Sequence, residues 1–320
     1  MTWVSWRLHR TQLLIIGTLA VLAAVAMTTT GRPPMSLAVH DVQALAWGLL
    51  FALPVAAGVV VGVTVTARER ERFTNRLAWT QGISRTRWLL ATLVPVAVVG
   101  SVAVALISSI ATWWVAAAGN GPRIDPNPFD VSGVVPVAYF LASLGLGVLA
   151  GSVIRNEGLA GASAAIAAIA ARIVVRNVVR PHLAPVVHLT SAHFPLRDLG
   201  PIWSSIPGGS AVEHGWILGY GWVPAGRTTP LPGHSWYSSF RPATGSDIVG
   251  VRCPVVTPSG SRSSFSVHSD CSNPAHLHFV VNFQPLSHYW LLQAGEAGIF
   301  LAGAIAFVAL AAFLLRRSSE

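Results

Sequence analysis

Long runs without a charged residue are the feature that most constrains this chain. Five of these runs are also predominantly apolar and contain between 19 and 35 residues, and a helix needs about 20 apolar residues to cross a hydrocarbon core of about 30 Å. Each run is therefore predicted to form one membrane-spanning helix, including the longest, in which we expect a kink at Pro95. The runs are residues 11–31, 42–67, 88–122, 131–154 and 297–315.

A sixth span is predicted over residues 158–179. Residues 158–171 are apolar, and Arg172, Arg176 and Arg180 then follow at a spacing of four. This spacing places the three arginines along one stripe of a helix. We interpret their side chains as reaching towards the outer lipid headgroups or lying above the membrane. The alternative is that they line an anion-attracting vestibule.

The distribution of arginines predicts the orientation of these helices. With the N-terminus inside the cell, eleven arginines fall in short cytoplasmic segments, whereas only Arg32 and Arg123 fall in the short outer loops. Basic residues next to membrane-spanning helices favour the cytoplasmic side. The sequence therefore predicts a multi-pass protein of the cell membrane with both termini in the cytoplasm. Six arginines and two glutamates lie in the predicted cytoplasmic loop 67–88.

The composition argues against two classes of function. Only 10% of the residues are charged, compared with about 25% in soluble domains. Nucleic-acid binding would require the arginines to lie on one exposed face, but here they lie at the ends of apolar runs. All 21 basic residues are arginines. Because a P-loop requires a lysine that contacts the nucleotide phosphates, the chain is not expected to be an ATPase itself. No enzymatic activity is predicted.

The region 181–290 is rich in proline, glycine, serine and aromatic residues. Its alternating stretches GWILGYGWV and HLHFVVNF indicate strands joined by turns. Because five spans precede it, the region is expected to be an extracytoplasmic domain. In that compartment Cys253 and Cys271 are predicted to form a disulfide, which would contribute about 3 kcal/mol.

A metal site is the alternative use of these cysteines, since His268, His276 and His278 lie near them in the sequence. Their spacing matches neither CxxC nor HExxH. A disulfide with surface histidines is therefore the favoured interpretation, and no metal or cofactor is predicted. No GxSxG motif accompanies the serines of the region, so no catalytic site is predicted either.

The predicted fold is an all-α integral membrane protein with six transmembrane helices and a partly β, extracytoplasmic domain inserted between helices 5 and 6. Residues 1–180 hold helices 1–5 and the loop 67–88. Residues 181–290 form the outer domain, and residues 291–320 form helix 6 and a cytoplasmic tail.

Two stretches of the sequence carry a family resemblance. The first is ERERFTNRLAWTQGISRTRW, residues 69–88, and the second is FQPLSHYWLLQAGEAGIF, residues 283–300, followed later by Arg316 and Arg317. Both resemble segments of export-type (type-2) ABC transporter permeases, in particular the six-span subunits of GC-rich Gram-positive bacteria. Phe73 stands where that family usually has glycine, which favours a continuous helix over a tight bend.

The resemblance implies that the chain is the permease subunit of an efflux transporter and forms part of the translocation path. The loop 67–88 is then expected to be a coupling helix that contacts a separate, cytoplasmic ABC ATPase subunit through charged pairs and an apolar anchor. A second permease subunit, identical or related, is expected to complete a dimer. Membrane lipid, but not nucleic acid, is expected as a further partner. The predicted coupling residues are Glu69, Glu71, Arg76, Trp79, Arg85 and Arg87.

Glu296 lies at the start of the last span, where an acid is costly unless it faces protein or water. We interpret it as a satisfied acid at the membrane interface, and the alternative is that it acts in gating or holds the outer domain against the helices. The alternative for the whole chain is a non-transporting membrane sensor or immunity protein with a ligand-binding outer domain. The apolar spans suit a lipophilic, amphipathic or peptide cargo.

Overall fold

The computed structural model describes residues 37–71, 84–118, 122–191, 209–223 and 278–317. These residues are mostly helical, and five of the helical segments are long and apolar enough to cross a membrane. The chain is therefore a multi-pass membrane protein. The predicted first span, residues 11–31, lies outside the described residues. In chain order the helices are α1 Leu37–Glu71, α2 Arg85–Ala118, α3 Pro126–Val131, α4 Val135–Val153, α5 Glu157–Val174, α6 Gly209–Glu213 and α7 Tyr289–Arg317.

Helices α1 and α2 correspond to the second and third predicted spans. Each contains one proline, Pro54 or Pro95, and each continues as a single helix through it. Helix α2 follows Ser84, whose Oγ accepts a hydrogen bond from the Arg87 backbone N–H at 3.4 Å. A serine in this position satisfies one of the backbone donors that a helix leaves unpaired at its start.

The short helix α3 and a tight turn precede α4. The predicted fourth span, residues 131–154, begins instead at Val135 because Gly133 adopts a φ of 71°. Glycine tolerates this left-handed conformation, and a Cβ atom at Gly133 would lie only 2.6 Å from Gln293 Oε1. Ser108 of α2 donates a hydrogen bond to the Gly133 carbonyl oxygen at 2.8 Å. The turn is thus held by contacts from two other helices.

Helix α5 begins at a side-chain cap and ends in a wider turn. Asn156 Oδ1 accepts a hydrogen bond from the Leu159 backbone N–H at 2.9 Å. At its other end the helix continues as a π-helical turn, Val175–Val179, and a 3-10 turn, Arg180–His182. The whole stretch Glu157–His182 is apolar and long enough to cross a membrane, in agreement with the span predicted over residues 158–179.

Helix α4 packs against α1, α2, α5 and α7. Its backbone comes close to that of α1, where Gly62 meets Gly147 of α4 and Gly58 meets the α4 backbone at Phe140 and Leu144. A Cβ atom at Gly147 would lie 2.8 Å from the Val59 carbonyl oxygen and 3.0 Å from the Val63 nitrogen. Small residues allow this backbone contact, which is the usual way in which membrane helices associate without a hydrophobic driving force. We call Gly58, Gly62 and Gly147 the glycine seam.

The chain divides into two compact units, one of which is Pro185–Leu286. In this unit β1 Val187–Ser191, β2 Trp216–Val223 and β3 His278–Gln284 form an antiparallel sheet in the order β1-β3-β2. The two stretches predicted as strands correspond to β2 and β3, while β1 was not predicted. Val212 of α6 packs on the buried Val281 and Phe283 of β3.

Candidate functional site

Five charged side chains meet near one end of the membrane-spanning helices. Asp130 lies in α3, Arg172 in α5, Arg176 in the π-helical turn, Arg180 at the start of the 3-10 turn and Glu296 in α7. In an α-helix, four residues advance about 40° beyond a full turn, so a straight helix would rotate Arg180 away from Arg172. The wider π-helical turn offsets this rotation. We call the five residues the ionic network.

Arg180 is the centre of the ionic network. Its side chain is fully buried and binds Glu296 through two bonds, from Nε to Oε2 at 2.6 Å and from Nη2 to Oε1 at 2.9 Å. The same Nη2 also donates to Asp130 Oδ1. The guanidinium carbon lies 4.3 Å from the centroid of the Phe129 ring. Because an arginine presents several donors in a rigid plane, one side chain connects α3, α7 and the end of α5.

Arg172 and Arg176 bind the other side of Asp130. Arg176 Nη1 lies 3.0 Å from Asp130 Oδ2, and Arg172 Nη2 lies 3.7 Å from the same oxygen. Arg172 also donates to the Phe51 carbonyl oxygen of α1, and its guanidinium carbon lies 3.4 Å from the centroid of the Phe51 ring. Arg176 Nη2 donates to Asn127 Oδ1 at 2.8 Å. The network thus extends to α1.

Tyr139 of α4 completes the contacts between the carboxylates. Its hydroxyl donates to Glu296 Oε1 at 2.6 Å, lies 3.3 Å from Asp130 Oδ1, and accepts from Arg180 Nη2 at 3.2 Å. The Tyr139 ring packs edge-on against Phe300 of α7, with 4.8 Å between the ring centroids. A tyrosine therefore supplies both a polar group for the network and an apolar surface for the neighbouring helix.

Gln293, one turn before Glu296, satisfies the backbone at the start of α4. Its Oε1 accepts from the backbone N–H groups of Val134 and Val135 at 3.0 and 3.1 Å. Its Nε2 donates to the carbonyl oxygens of Phe129 and Ser132, each at 3.2 Å. Because buried backbone groups must be paired in a membrane, this amide allows an irregular turn beside the ionic network.

The charges of the network do not balance. Three guanidinium groups face two carboxylates, and among the described residues these are the charged groups in salt bridges with one another. Buried ion pairs recover their desolvation cost only when hydrogen bonds satisfy both partners. The arrangement can hold helices together, switch between pairings or attract an anion. Among the described residues, no group of three His, Cys, Asp or Glu side chains could hold a metal.

The structure places the predicted site residues in different locations. Glu296 is buried with both oxygens paired, so it is an acid paired within the protein, and gating remains a prediction. Glu69 and Glu71 are the last residues of α1, and Arg85 and the exposed Arg87 are in the first turn of α2. Arg76, Trp79, Cys253 and Cys271 lie outside the described residues.

The interpretation of the arginine stripe as lipid-facing or solvent-facing is wrong for two of its three members. Arg172 and Arg180 are buried, because Asp130 and Glu296 offer pairing that lipid headgroups would otherwise supply. Sequence reasoning treated Asp130 only as the boundary of a span and did not select Tyr139. An acid at the edge of one span and an arginine stripe in another were the signals from which the pairing could have been found.

A cavity of about 670 Å³ lies beside the network between α1 and α5. Trp47 and Phe51 of α1 form one wall, and Ile169 of α5 forms part of the other. Arg172 and Arg176 line its polar part. We call this cavity the α1–α5 cleft. Its apolar walls and basic part give it an amphipathic character.

Part of the chain matches a known family of membrane transporter proteins. Residues 24–180 match the model of a family described as ABC-2 membrane transporter related. This match supports an ABC-2 type permease. The matched segment holds α1–α5 and ends at Arg180, so it contains four members of the ionic network but not Glu296. No curated protein and no solved structure matches the chain. Permeases of this type are membrane components of transporters that work with a cytoplasmic ATPase.

Proposed function

We propose that the chain is the membrane-spanning permease subunit of an ABC exporter, in which it forms part of the translocation path and couples to a separate ATPase subunit. The observation that carries this proposal is the match of residues 24–180 to an ABC-2 membrane transporter related family, over a set of packed apolar helices. The absence of lysine from the sequence agrees with ATP hydrolysis by a partner chain.

The proposed coupling element is the segment 67–88. Helix α1 does not end with its apolar span Trp47–Thr66 but continues to Glu71. A displacement of Glu69 or Glu71 by the ATPase would therefore pass directly into the helix that carries Gly58 and Gly62. Because the glycine seam leaves no space between the backbones, α1 and α4 would move together. In this proposal Arg76, Trp79, Arg85 and Arg87 complete the surface that the ATPase contacts.

The sidedness of the proposed coupling segment has support within the membrane unit. Arg316, near the end of α7, donates from Nε to Thr86 Oγ1 at the start of α2, at 3.0 Å. The end of α7 and the start of α2 therefore lie on one side of the membrane. Together with the arginine count of the short loops, this contact supports a cytoplasmic location for both.

The ionic network is proposed to act at the opposite side, where the ends of α3, α5 and α7 meet. Glu296 is a residue of α7, and it has two hydrogen-bond partners that could be exchanged, Arg180 and Tyr139. A change of pairing would let α7 move relative to α5 while the glycine seam stays closed. Glu296 would then contribute to gating. A second permease subunit would supply the other half of the path.

Copurification and transport together test the proposal. The tagged full chain is purified from its native membrane in mild detergent, and the copurifying proteins are identified by mass spectrometry and assayed for ATP hydrolysis. We expect an ABC ATPase, and we expect Glu71→Ala and Trp79→Ala to lower its recovery by about tenfold, equivalent to about 1.4 kcal/mol of binding free energy. Arg123→Ala, in the predicted outer loop, is the matched control.

Two outcomes would contradict the coupling proposal. One is unchanged ATPase recovery in both variants, combined with unchanged nucleotide-dependent transport in vesicles. The other is a purified protein that copurifies with no ATPase and responds to no nucleotide, a result that would favour a membrane sensor with a ligand-binding outer domain.

A further inference from the structure

We propose that the α1–α5 cleft binds an anionic lipid of the surrounding bilayer, with its acidic headgroup at Arg176 and an acyl chain along Phe51 and Ile169. This inference concerns a binding site and does not depend on the proposed transport function.

The size and lining of the cleft fit a lipid segment. Its volume of about 670 Å³ lies within the range of roughly 300 to 1,000 Å³ that is usual for small-molecule sites. Apolar side chains from two membrane-spanning helices face each other across it, including Phe51, Val55 and Ile169. Acyl chains already surround these helices, so a chain in this cleft would need no transfer through water.

The charge of the network identifies the headgroup as acidic. Among the side chains that the structure describes, three guanidinium groups face two carboxylates, so one positive charge remains unbalanced there. A single phosphodiester would neutralise it, and an unpaired charge at this depth is costly. A zwitterionic headgroup would bring a cation towards three arginines and is disfavoured by the same argument.

Arg176 and Arg172 have donors for such a headgroup. Arg176 is the member of the network whose side chain is 25% exposed, and its hydrogen bonds to Asp130 and Asn127 use two of its five N–H groups. The buried Nε of Arg172 has no hydrogen-bond partner among the described residues. Both side chains line the cleft, so basic donors and apolar walls meet in one cavity.

Native mass spectrometry of the full chain in mild detergent can test this site, with phosphatidylglycerol, phosphatidylcholine and inorganic phosphate as probes. We expect one phosphatidylglycerol to bind about tenfold more tightly than phosphatidylcholine, a difference of about 1.4 kcal/mol. Arg176→Gln should remove this preference, and Arg176→Lys should keep part of it. Inorganic phosphate should compete weakly, because it lacks the chain that fills the apolar part.

A second variant keeps the test independent of the charges. Gly48 lines the cleft, and a Cβ atom there would meet no heavy atom within 4 Å, so Gly48→Phe should fill the cavity without disturbing the fold. It should lower the affinity for both lipids about tenfold. Gly298→Phe, on the exposed face of α7, and Arg155→Gln, beyond the other end of α5, are the controls.

Three results would overturn the proposal. The first is equal binding of the two lipids by the wild-type chain. The second is unchanged phosphatidylglycerol affinity in both Arg176→Gln and Gly48→Phe while both variants remain monodisperse. The third is inorganic phosphate that binds as tightly as phosphatidylglycerol, since this would identify a simple anion site with no role for the apolar walls.

Discussion

The glycine seam and the ionic network hold the same set of helices together by opposite means. At the seam, Gly62 of α1 lies against Gly147 of α4, and Gly58 of α1 lies against the α4 backbone near Leu144, so the contact is made without polar side chains. At the network, Arg180 connects Asp130 and Glu296 through charged hydrogen bonds. The seam relies on close packing that has one arrangement, whereas the network relies on bonds that several partners can share.

This difference indicates which part of the membrane unit can move. Packing between small residues is lost as soon as the backbones separate, so the seam favours a rigid pair of helices. A network in which one carboxylate has several donors can exchange partners at lower cost, because each group remains paired. We therefore expect the pair α1–α4 to move as one body and the contacts of α7 with α5 to change.

The largest effect is expected from removal of the central guanidinium. Arg180→Met leaves Asp130 and Glu296 buried without their main partner, and uncompensated buried charges cost about 3 to 5 kcal/mol. Chemical denaturation in mixed micelles should show this loss of stability. The double variant Arg180→Met with Glu296→Gln should recover part of it. A single variant as stable as the wild type would mean that the network contributes nothing to folding.

The seam should respond to added volume instead of lost charge. Gly147→Leu places a side chain where even a Cβ atom would lie 2.8 Å from the Val59 carbonyl oxygen, and overpacking of this kind costs about 1 to 3 kcal/mol. Denaturation measures the change, with Gly298→Leu as the control because its site is open. If both variants lost equal stability, the close approach of α1 and α4 would not be the reason.

A smaller effect on stability, but a larger effect on transport, is expected at Glu296. Glu296→Gln keeps one acceptor oxygen for Tyr139 and Arg180 Nη2 but turns an amide NH2 towards the Arg180 Nε donor and removes the charge, so the loss should be about 1 to 2 kcal/mol. If exchange of partners at Glu296 controls gating, the export rate should fall by more than the loss of stability explains. Glu296→Asp should restore part of the export rate. Normal export by a folded Glu296→Gln chain would exclude the gating role.

The sequence predicts the membrane-spanning helices but neither the contacts of the glycine seam nor those of the ionic network. The spans follow from uninterrupted apolar runs, and every described membrane-spanning helix overlaps a predicted one. Periodicity cannot show that Gly147 meets Gly62, because both glycines lie in uniformly apolar segments that lack a polar face. It also cannot pair Asp130 with an arginine stripe 42 to 50 residues later, since burial of those charges depends on the π-helical turn and on the turn at Gly133.

The smallest expected effect concerns the border of the network region. Asp125 precedes α3 and is outside the membrane-spanning segments, and burial raises its pKa from 3.8 to about 6. Because the unfolded carboxyl ionises first as the pH rises from about 4 to 6, the folded chain should lose stability over this interval and show no further loss from Asp125 above it. The partly exposed carboxyl limits the loss to less than about 1 kcal/mol.

Asp125→Asn removes this titration and tests the degree to which the surroundings of Asp125 exclude water. Asparagine carries no charge, so the variant should be slightly more stable than the wild type at pH 7 and equal to it near pH 4, where the wild-type carboxyl is protonated in the folded chain. Apparent melting temperatures in detergent across this pH range measure the difference. A constant difference would show that Asp125 is fully hydrated. The low-dielectric region around the ionic network would then end at the first residues of α3, in contrast to the continuous apolar packing along the glycine seam.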